Sequence, residues 1–378
     1  MRQEYSRNLP SYQQSDHRQS LANVIHMDPP LLTALLLLAG FGLFILYSAS
    51  GQDLATLERQ AVRMTIGFTG MFLIAQLSPR SYQFWAPWLY GIGALLLVAV
   101  LLFGTKAMGA QRWLTIPGLG RFQPSEFMKL FMPLMIAWYL CKKNAAPRGK
   151  VLLLSTIILL IPTLLIAKQP DLGTALLVAS SGGFVLLMAG LSGRLISGLV
   201  ITSLPGAWLA FHYLLHDYQR QRVITLLNPE SDPLGAGWNI IQSKIAIGSG
   251  GMTGKGWLTG TQSQLDFLPE SSTDFIIAVL AEELGLIGVL FLLCLYLFIV
   301  GRGLFIAMQA QDSFSRLLAA SITLTFFVYV FVNIGMVSGI LPVVGVPLPL
   351  VSYGGTSIVT LLSGFGLVMS VQTHRRFM

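Results

Sequence analysis

The feature that most limits this chain is the return, from Leu31 almost to the C-terminus, of apolar runs about 20 residues long. Coiled as a helix, a run of that length crosses the ~30 Å of hydrocarbon in a bilayer. Reading the runs in order predicts ten spans, near residues 30–49, 62–78, 84–104, 123–141, 150–168, 171–190, 193–215, 284–301, 317–340 and 350–372. Composition agrees, because 54% of the 378 residues are apolar and 11% are charged, against the ~25% charge usual in soluble domains. A water-soluble globule, a disordered chain and a disulfide scaffold are excluded; the only cysteines, Cys141 and Cys294, sit inside apolar runs. The expected fold is all-α, a polytopic integral membrane domain over 30–373 between an N-terminal tail of 1–29 and a short C-terminal tail of 374–378.

The net charge of +8 reads as membrane topology before it reads as a surface for nucleic acid, and no nucleic-acid partner is expected. With the N-terminus cytoplasmic, the inner loops and tails collect Arg2, Arg7, Arg18, Arg80, Lys142, Lys143, Arg148, Lys150, Arg194, Arg302, Arg316, Arg375 and Arg376, which are 13 of the 24 basic residues. Both termini then lie inside. Residues 1–27 have no apolar core of signal-peptide length. The outside receives the loops near 50–61, 105–122, 216–283 and 341–349.

The outer loop 216–283 is the longest, and loops of such length usually carry function or are disordered. Trp238, Trp257, Phe267, the apolar stretch Ile240–Ile247 and glycines at 235, 237, 248, 250, 251, 254, 256 and 260 favour an ordered loop with tight turns. At its end, one helix from Asp274 to Gly301 would be about 42 Å long, more than the hydrocarbon requires. The segment is therefore expected to divide, with a short interfacial helix to Glu283, a span from Leu284, and Gly285 near the junction.

Two ionisable residues three positions apart, Glu126 and Lys129, lie on one face of the fourth span. They read either as a functional intramembrane pair or as an interfacial ion pair of purely structural worth. Among the outer carboxylates, Asp53, Glu58, Asp171, Asp217, Glu230, Asp232, Asp266, Glu270 and Asp274, most are expected to be ordinary surface charges. Asp274 differs because it opens an apolar stretch at the water–lipid boundary. There it suits either a general base or a helix N-cap. Glu282 and Glu283 follow one short helix later and suit a structural role more than cation binding. Lys106, Arg112, Arg121, Arg220, Arg222, Lys244 and Lys255 lie outside against the positive-inside preference. A pyrophosphate ligand would explain several of these, and solvated loop charge the rest. The breaker-rich apolar stretch Gly339–Ser357 cannot face lipid, so it is expected to be buried or to line a cavity. No histidine set has metal-ligand spacing, and neither a phosphate-binding glycine loop nor a serine–histidine–aspartate order stands out.

Asn333, Gly339-Ile-Leu-Pro-Val-Val-Gly345 and Pro347-Leu-Pro-Leu-Val-Ser-Tyr-Gly-Gly-Thr-Ser357 together resemble the signature of the shape, elongation, division and sporulation (SEDS) family of bacterial cell-wall proteins. Gln111-Arg-Trp-Leu114, Gln123-Pro-Ser-Glu-Phe-Met-Lys129, Gln169-Pro-Asp-Leu-Gly-Thr174, Phe267-Leu-Pro-Glu270 and Ala281-Glu-Glu-Leu-Gly285 extend the resemblance over about residues 30–374. The stretches His216–Arg222, Gln242–Gly251 and Gly260–Leu265 resemble the elongation branch more than the division branch. One departure is Ser272, where the family usually carries a histidine.

The resemblance implies a ten-span peptidoglycan glycosyltransferase of the bacterial inner membrane. Such an enzyme polymerises lipid II at the outer face, beside a class B penicillin-binding protein. It matches the family's essential aspartate to Asp274, its second-loop tryptophan to Trp113 and its charged pair to Glu126 and Lys129. Asp274 would then serve as base in an inverting β-1,4 transfer. Lys129, Arg112, Arg220 and Arg222 would steady the departing undecaprenyl pyrophosphate, Glu126 would hold Lys129, and a divalent cation, Mg or Mn, is an optional aid. The competing expectations are a flippase for lipid-linked precursor and a non-catalytic scaffold of the elongation complex.

Overall fold

The computed structural model describes residues 26–374 except 108–109, 117–119, 144–145, 216, 233–234, 266 and 269, so nearly all of both tails lies outside the described residues. The chain begins with helices α1 (Pro29–Ala49), α2 (Leu54–Ala75) and α3 (Pro79–Phe103). A small antiparallel sheet follows, of β1 (Thr105–Ala107), β2 (Ala110–Ile116) and β3 (Gly120–Phe122), with β2 in the middle. Next come α4 (Pro124–Lys143), α5 (Gly149–Lys168), α6 (Leu172–Met188) and α7 (Gly193–Leu209), the last ending in one π turn over Ala210–Leu214. The long loop contains α8 (Asp217–Leu227), α9 (Ala236–Gly250) and the single turn α10 (Thr261–Gln264). Helices α11 (Ile276–Met308), α12 (Ser313–Val337) and α13 (Thr356–Thr373) complete the chain.

Each of the ten expected spans thus corresponds to one helix: α1 to α7 and α11 to α13. The fold is all-α and polytopic, with the sheet as a small addition. Six of the described helices, α1, α3, α5, α11, α12 and α13, are long and apolar enough to cross a membrane by themselves. Helix α2 carries Glu58, Arg59 and Arg63, and α4 carries Glu126, Lys129, Lys142 and Lys143, while α6 and α7 are shorter, at 17 residues each. Aspartates begin four of the ten. Asp28, Asp53, Asp171 and Asp312 each accept a hydrogen bond from a backbone N–H in the first turn of α1, α2, α6 and α12. Asp28 also pairs with Arg302 at 2.7 Å, which ties α1 to α11 at the end of the bundle away from the long loop.

Helix α12 is buried on almost every side, and α2 and α13 meet closely where Gly67 faces Leu362 and Gly366 faces the carbonyl of Met71. Small residues at such crossings let backbones approach, which is the main means of packing helices in lipid.

Four boundaries differ from expectation by five residues or more. Helix α2 begins at Leu54 instead of 62 and α3 at Pro79 instead of 84. The span expected at 284–301 runs on to Met308, and the last begins at Thr356 instead of 350, because Leu350 to Gly355 is non-helical. The division of the segment after Asp274 is present at Gly285, whose φ of 64° and ψ of −162° interrupt α11. The break leaves backbone groups without helical partners. The glycine-rich turn after α9 supplies them: Lys255 N and Gly256 N donate to the carbonyls of Glu282 and Glu283, and Leu286 N and Ile287 N donate to those of Gly251 and Met252. The Glu282 side chain joins the same knot, accepting from Lys255 Nζ at 2.7 Å and from the backbone of Thr261 and Gln262. Glu283 accepts from Ser48 Oγ on α1. Both glutamates are therefore built into the fold. A Cβ at Gly285 would lie 2.3 Å from Gly254 N and would also have to adopt positive φ. We expect Gly285→Ala to destabilise the protein by about 1–3 kcal/mol, read as a lower unfolding temperature of the detergent-solubilised chain.

Candidate functional site

The helix ends on the long-loop side surround a cavity of about 780 Å3. Of the residues singled out from sequence it brings together Asp274, Trp113, Arg112, Glu126 and Lys129. Arg63, Arg121, Asp171, Tyr329 and Tyr353 line it as well. A smaller cavity of about 80 Å3 adjoins it, shares Arg112 and Asp171, and adds Gln219 and Arg222. Arg220 lines neither; its Nη2 donates to the carbonyl of His212 at 2.6 Å and its Nη1 lies 3.9 Å from Asp217.

Strand β2 delivers Arg112 and Trp113 by means of a bulge. Thr105 pairs with Trp113 and Lys106 with Gln111, so Arg112 is the extra residue of β2 and has no partner across the ladder. Strict alternation would send neighbouring side chains to opposite faces; the bulge lets both line the cavity. Arg112 is then fixed by the carbonyl of Pro170, to which Nη2 donates at 2.5 Å, and by Asp171, 3.7 Å from its Nε. Asp171 is buried, caps α6 through Thr174, and accepts from Gln123 at 2.9 Å. It is therefore not the ordinary surface charge expected from its place between two short spans.

Helix α4 places Glu126 and Lys129 one turn apart, with Nζ 2.6 Å from Glu126 Oε1 and both side chains 7% exposed. Lys129 also donates to Tyr329 on α12, and Thr360 on α13 donates to the other Glu126 oxygen at 3.3 Å. The pair is buried among α4, α12 and α13 and is not a solvated one. Each ion offsets the cost of desolvating the other.

Asp274 lies in the turn Ser271–Phe275, one residue before the N-cap position of α11, which Phe275 occupies. The N-cap reading of Asp274 is therefore set aside. Its turn is held from three directions. Asn333 Nδ2 on α12 donates to the carbonyls of Asp274 at 2.9 Å and Val346 at 2.8 Å. Ser352 Oγ donates to the carbonyl of Thr273, and Tyr353 N donates to that of Ser272 at 2.8 Å. The breaker-rich segment 339–355, expected to be buried or cavity-lining, does both here. Gly345 has φ of 74°, and a Cβ there would stand 3.5 Å from Asp274 Oδ2.

The Asp274 carboxylate itself is half-buried and receives no hydrogen bond among the described residues. Burial pushes its pKa up to about 6, the nearby Glu270 carboxylate adds to the rise, and the Arg222 guanidinium opposes it. A carboxylate poised there accepts a proton near neutral pH far better than an ordinary aspartate at ~3.9. Among the described residues no three His, Cys, Asp or Glu side chains converge to hold a metal.

Comparison with known proteins places this arrangement. Residues 29–377 match the FtsW/RodA/SpoVE family of cell cycle proteins. The chain belongs to that family. MrdB of Escherichia coli K12, named a peptidoglycan glycosyltransferase, is 54% identical over 362 residues, which cover 96% of this chain and 98% of MrdB. A chain solved in a peptidoglycan synthase complex that coordinates polymerization and crosslinking is 33% identical with a TM-score of 0.80, covering 92% of this chain and 97% of that one. The crystal structure of the rod shape determining protein RodA from Thermus thermophilus is 30% identical with a TM-score of 0.68, covering 92% and 96%. The SEDS resemblance, its elongation branch and the glycosyltransferase activity it implies agree with these relatives.

Sequence reasoning passed over Arg63, Asp171 and Tyr329. Arg63 was the most accessible of the three, an arginine at the edge of an apolar run. Two measurements follow. Titration of Asp274 by its carboxyl infrared band is expected near pH 6, falling in Glu270→Gln and rising in Arg222→Gln. Asn333→Ala strands a buried carbonyl and a part-buried one and is expected to cost about 1–3 kcal/mol of stability in thermal or denaturant unfolding.

Proposed function

We propose that this family member, a peptidoglycan glycosyltransferase, polymerises lipid II by a single inverting displacement with Asp274 as general base. The observation that carries this reading is that Asp274 is the cavity's one carboxylate without a hydrogen bond or ion pair among the described residues. Glu126 is spent on Lys129 and Thr360, and Asp171 on Gln123, Thr174 and Arg112. A double displacement needs a second carboxylate as nucleophile, and the cavity supports only one free for work.

Asp274 takes the proton of the acceptor 4-hydroxyl while that oxygen forms a bond to the anomeric carbon of the growing chain. The bond from that carbon to the lipid diphosphate breaks, and the diphosphate leaves with the electron pair, making a β-1,4 linkage. Lys129 and Arg112 lend positive charge to the reacting centre, Glu126 orients Lys129, and Trp113 offers an apolar wall to the sugar or its lipid. Arg222 acts from the adjoining cavity, holding Asp274 ionised until the hydroxyl arrives. A divalent cation, if bound, would neutralise diphosphate charge; no step above depends on it.

In this reading the cavity and the long loop face outward and both termini face the cytoplasm, because that places most loop lysines and arginines inside. The partner is a class B penicillin-binding protein, whose crosslinking complements polymerisation. The solved relative from a peptidoglycan synthase complex supports that pairing.

The test is polymerisation of fluorescent lipid II by the purified chain with its penicillin-binding partner. Asp274→Asn is expected to lower the rate by about 10²–10⁴-fold while the protein stays folded. The native rate is expected to rise with pH through about 6, since below that value the carboxyl is protonated and cannot accept the hydroxyl proton. Equal polymer from native and variant would remove Asp274 as the base. No polymer from either, with transport of lipid II across vesicles retained, would replace transfer by flipping.

A further inference from the structure

One cation of the cavity has no assigned work. Arg63 lies nine residues into α2, about 14 Å along the axis at ~1.5 Å per residue, in a helix packed against the body of the protein. An arginine half-buried there, at the edge of the apolar run, is costly unless it has a partner or a purpose. Lys129 is matched by Glu126, and Arg112 by Asp171. Among the described residues Arg63 and Arg121 are the cavity cations with no carboxylate within 4.0 Å, and Arg121 is exposed on β3 while Arg63 is half-buried.

What Arg63 does touch orients it without neutralising it. Its Nη1 donates to the carbonyl of Gly354 at 3.3 Å, and its guanidinium carbon stands 4.6 Å from the centre of the Tyr353 ring. Stacking on an aromatic face fixes the guanidinium plane and leaves its edge open, and one of five N–H donors is used. The hydroxyl residues Thr356 and Ser357 line the same part of the cavity. A planar, half-buried fork of donors with no carboxylate beside it, open to the cavity, suits a phosphate-type anion taken two oxygens at a time.

We propose that Arg63 binds the diphosphate of the donor lipid, the group that leaves during transfer. This rests on the polymerase reading given above. The segment Ser352–Gly354 separates Arg63 from the Asp274 turn, because Tyr353 N reaches back to Ser272 while Gly354 and the Tyr353 ring meet Arg63. In an inverting displacement the base and the leaving group stand on opposite faces of the anomeric carbon, and this placement gives each its own side. As the bond from the anomeric carbon to the diphosphate oxygen breaks, negative charge grows on that oxygen, where the guanidinium already waits.

The experiment uses the full chain with its penicillin-binding partner in detergent and measures binding of undecaprenyl diphosphate, the released product, beside the polymerisation rate. Arg63→Gln is expected to weaken undecaprenyl diphosphate at least about tenfold and to lower kcat more than it raises KM, with Arg63→Lys intermediate. Gln60→Ala is the structural control. Gln60 holds the same segment, with Nε2 on the carbonyl of Ser352 at 3.0 Å and Oε1 accepting from Gly354 N at 3.3 Å, and it does not line the cavity. Unchanged diphosphate binding in Arg63→Gln, or an equal loss in Gln60→Ala, would overturn the proposal. A native chain that binds undecaprenyl diphosphate through Arg63 yet makes no polymer would instead overturn the polymerase reading and leave this site standing.

Discussion

In hydrocarbon no water is available to satisfy a backbone N–H or C=O, so any departure from helix within the bundle must be repaired by protein. The broken helix α11 shows the repair at its most direct. Gly285 interrupts the hydrogen-bond ladder, and the turn Gly251–Gly256 answers with two donors and two acceptors. The second departure, the segment 339–355, is met by Asn333, by Gln60 and by the turn that carries Asp274. Both irregular stretches bear on α11, which the first interrupts and whose entry the second holds. The candidate catalytic residue sits at that junction of the segment 339–355 with the turn leading into α11.

That junction gives Asp274 its character. Its backbone is tied to α12 and to the segment 339–355, while its side chain is left without a hydrogen bond among the described residues. A carboxylate in so fixed a position loses hydration without gaining donors, and burial lifts its pKa to about 6. The tethers that satisfy the backbone thus also prepare the base. They explain why residues that do not line the cavity, Asn333 and Ser352 among them, belong to the working part of the molecule.

Ten spans, their order and the break at Gly285 were legible because helix length, apolar runs and hydrocarbon thickness share one arithmetic. The pair Glu126 and Lys129 was legible as charge inside an apolar run. The sheet was not, because its strands are short and lie between stretches dominated by the flanking helices, and the bulge at Arg112 leaves no mark in composition. Asp171 looked like one outer carboxylate among nine; its burial depends on Gln123 and Arg112, which reach it from elsewhere in the chain. Arg220 and Arg222 are two residues apart on α8, and their separation into different surroundings is settled by tertiary packing, which spacing alone does not reveal.

The charges of the cavity also obey a rule. Arg63, Arg112, Arg121 and Lys129 face Glu126, Asp171 and Asp274, so the lining carries nearly balanced charge before any substrate enters. Yet the balance is local. Two cations are matched at 2.6 Å and 3.7 Å by carboxylates that are thereby removed from chemistry, and the unmatched charges are left at separate places. A half-buried Asp274 and a half-buried Arg63 that line one chamber without close counter-ions cost stability, since each loses part of its hydration without gaining an ion pair. A chain that only spanned the membrane would gain by pairing or deleting them. Their persistence is best understood if the missing partners arrive with the ligand, a hydroxyl proton for Asp274 and a diphosphate for Arg63, so that binding completes an electrostatic pattern that folding leaves open.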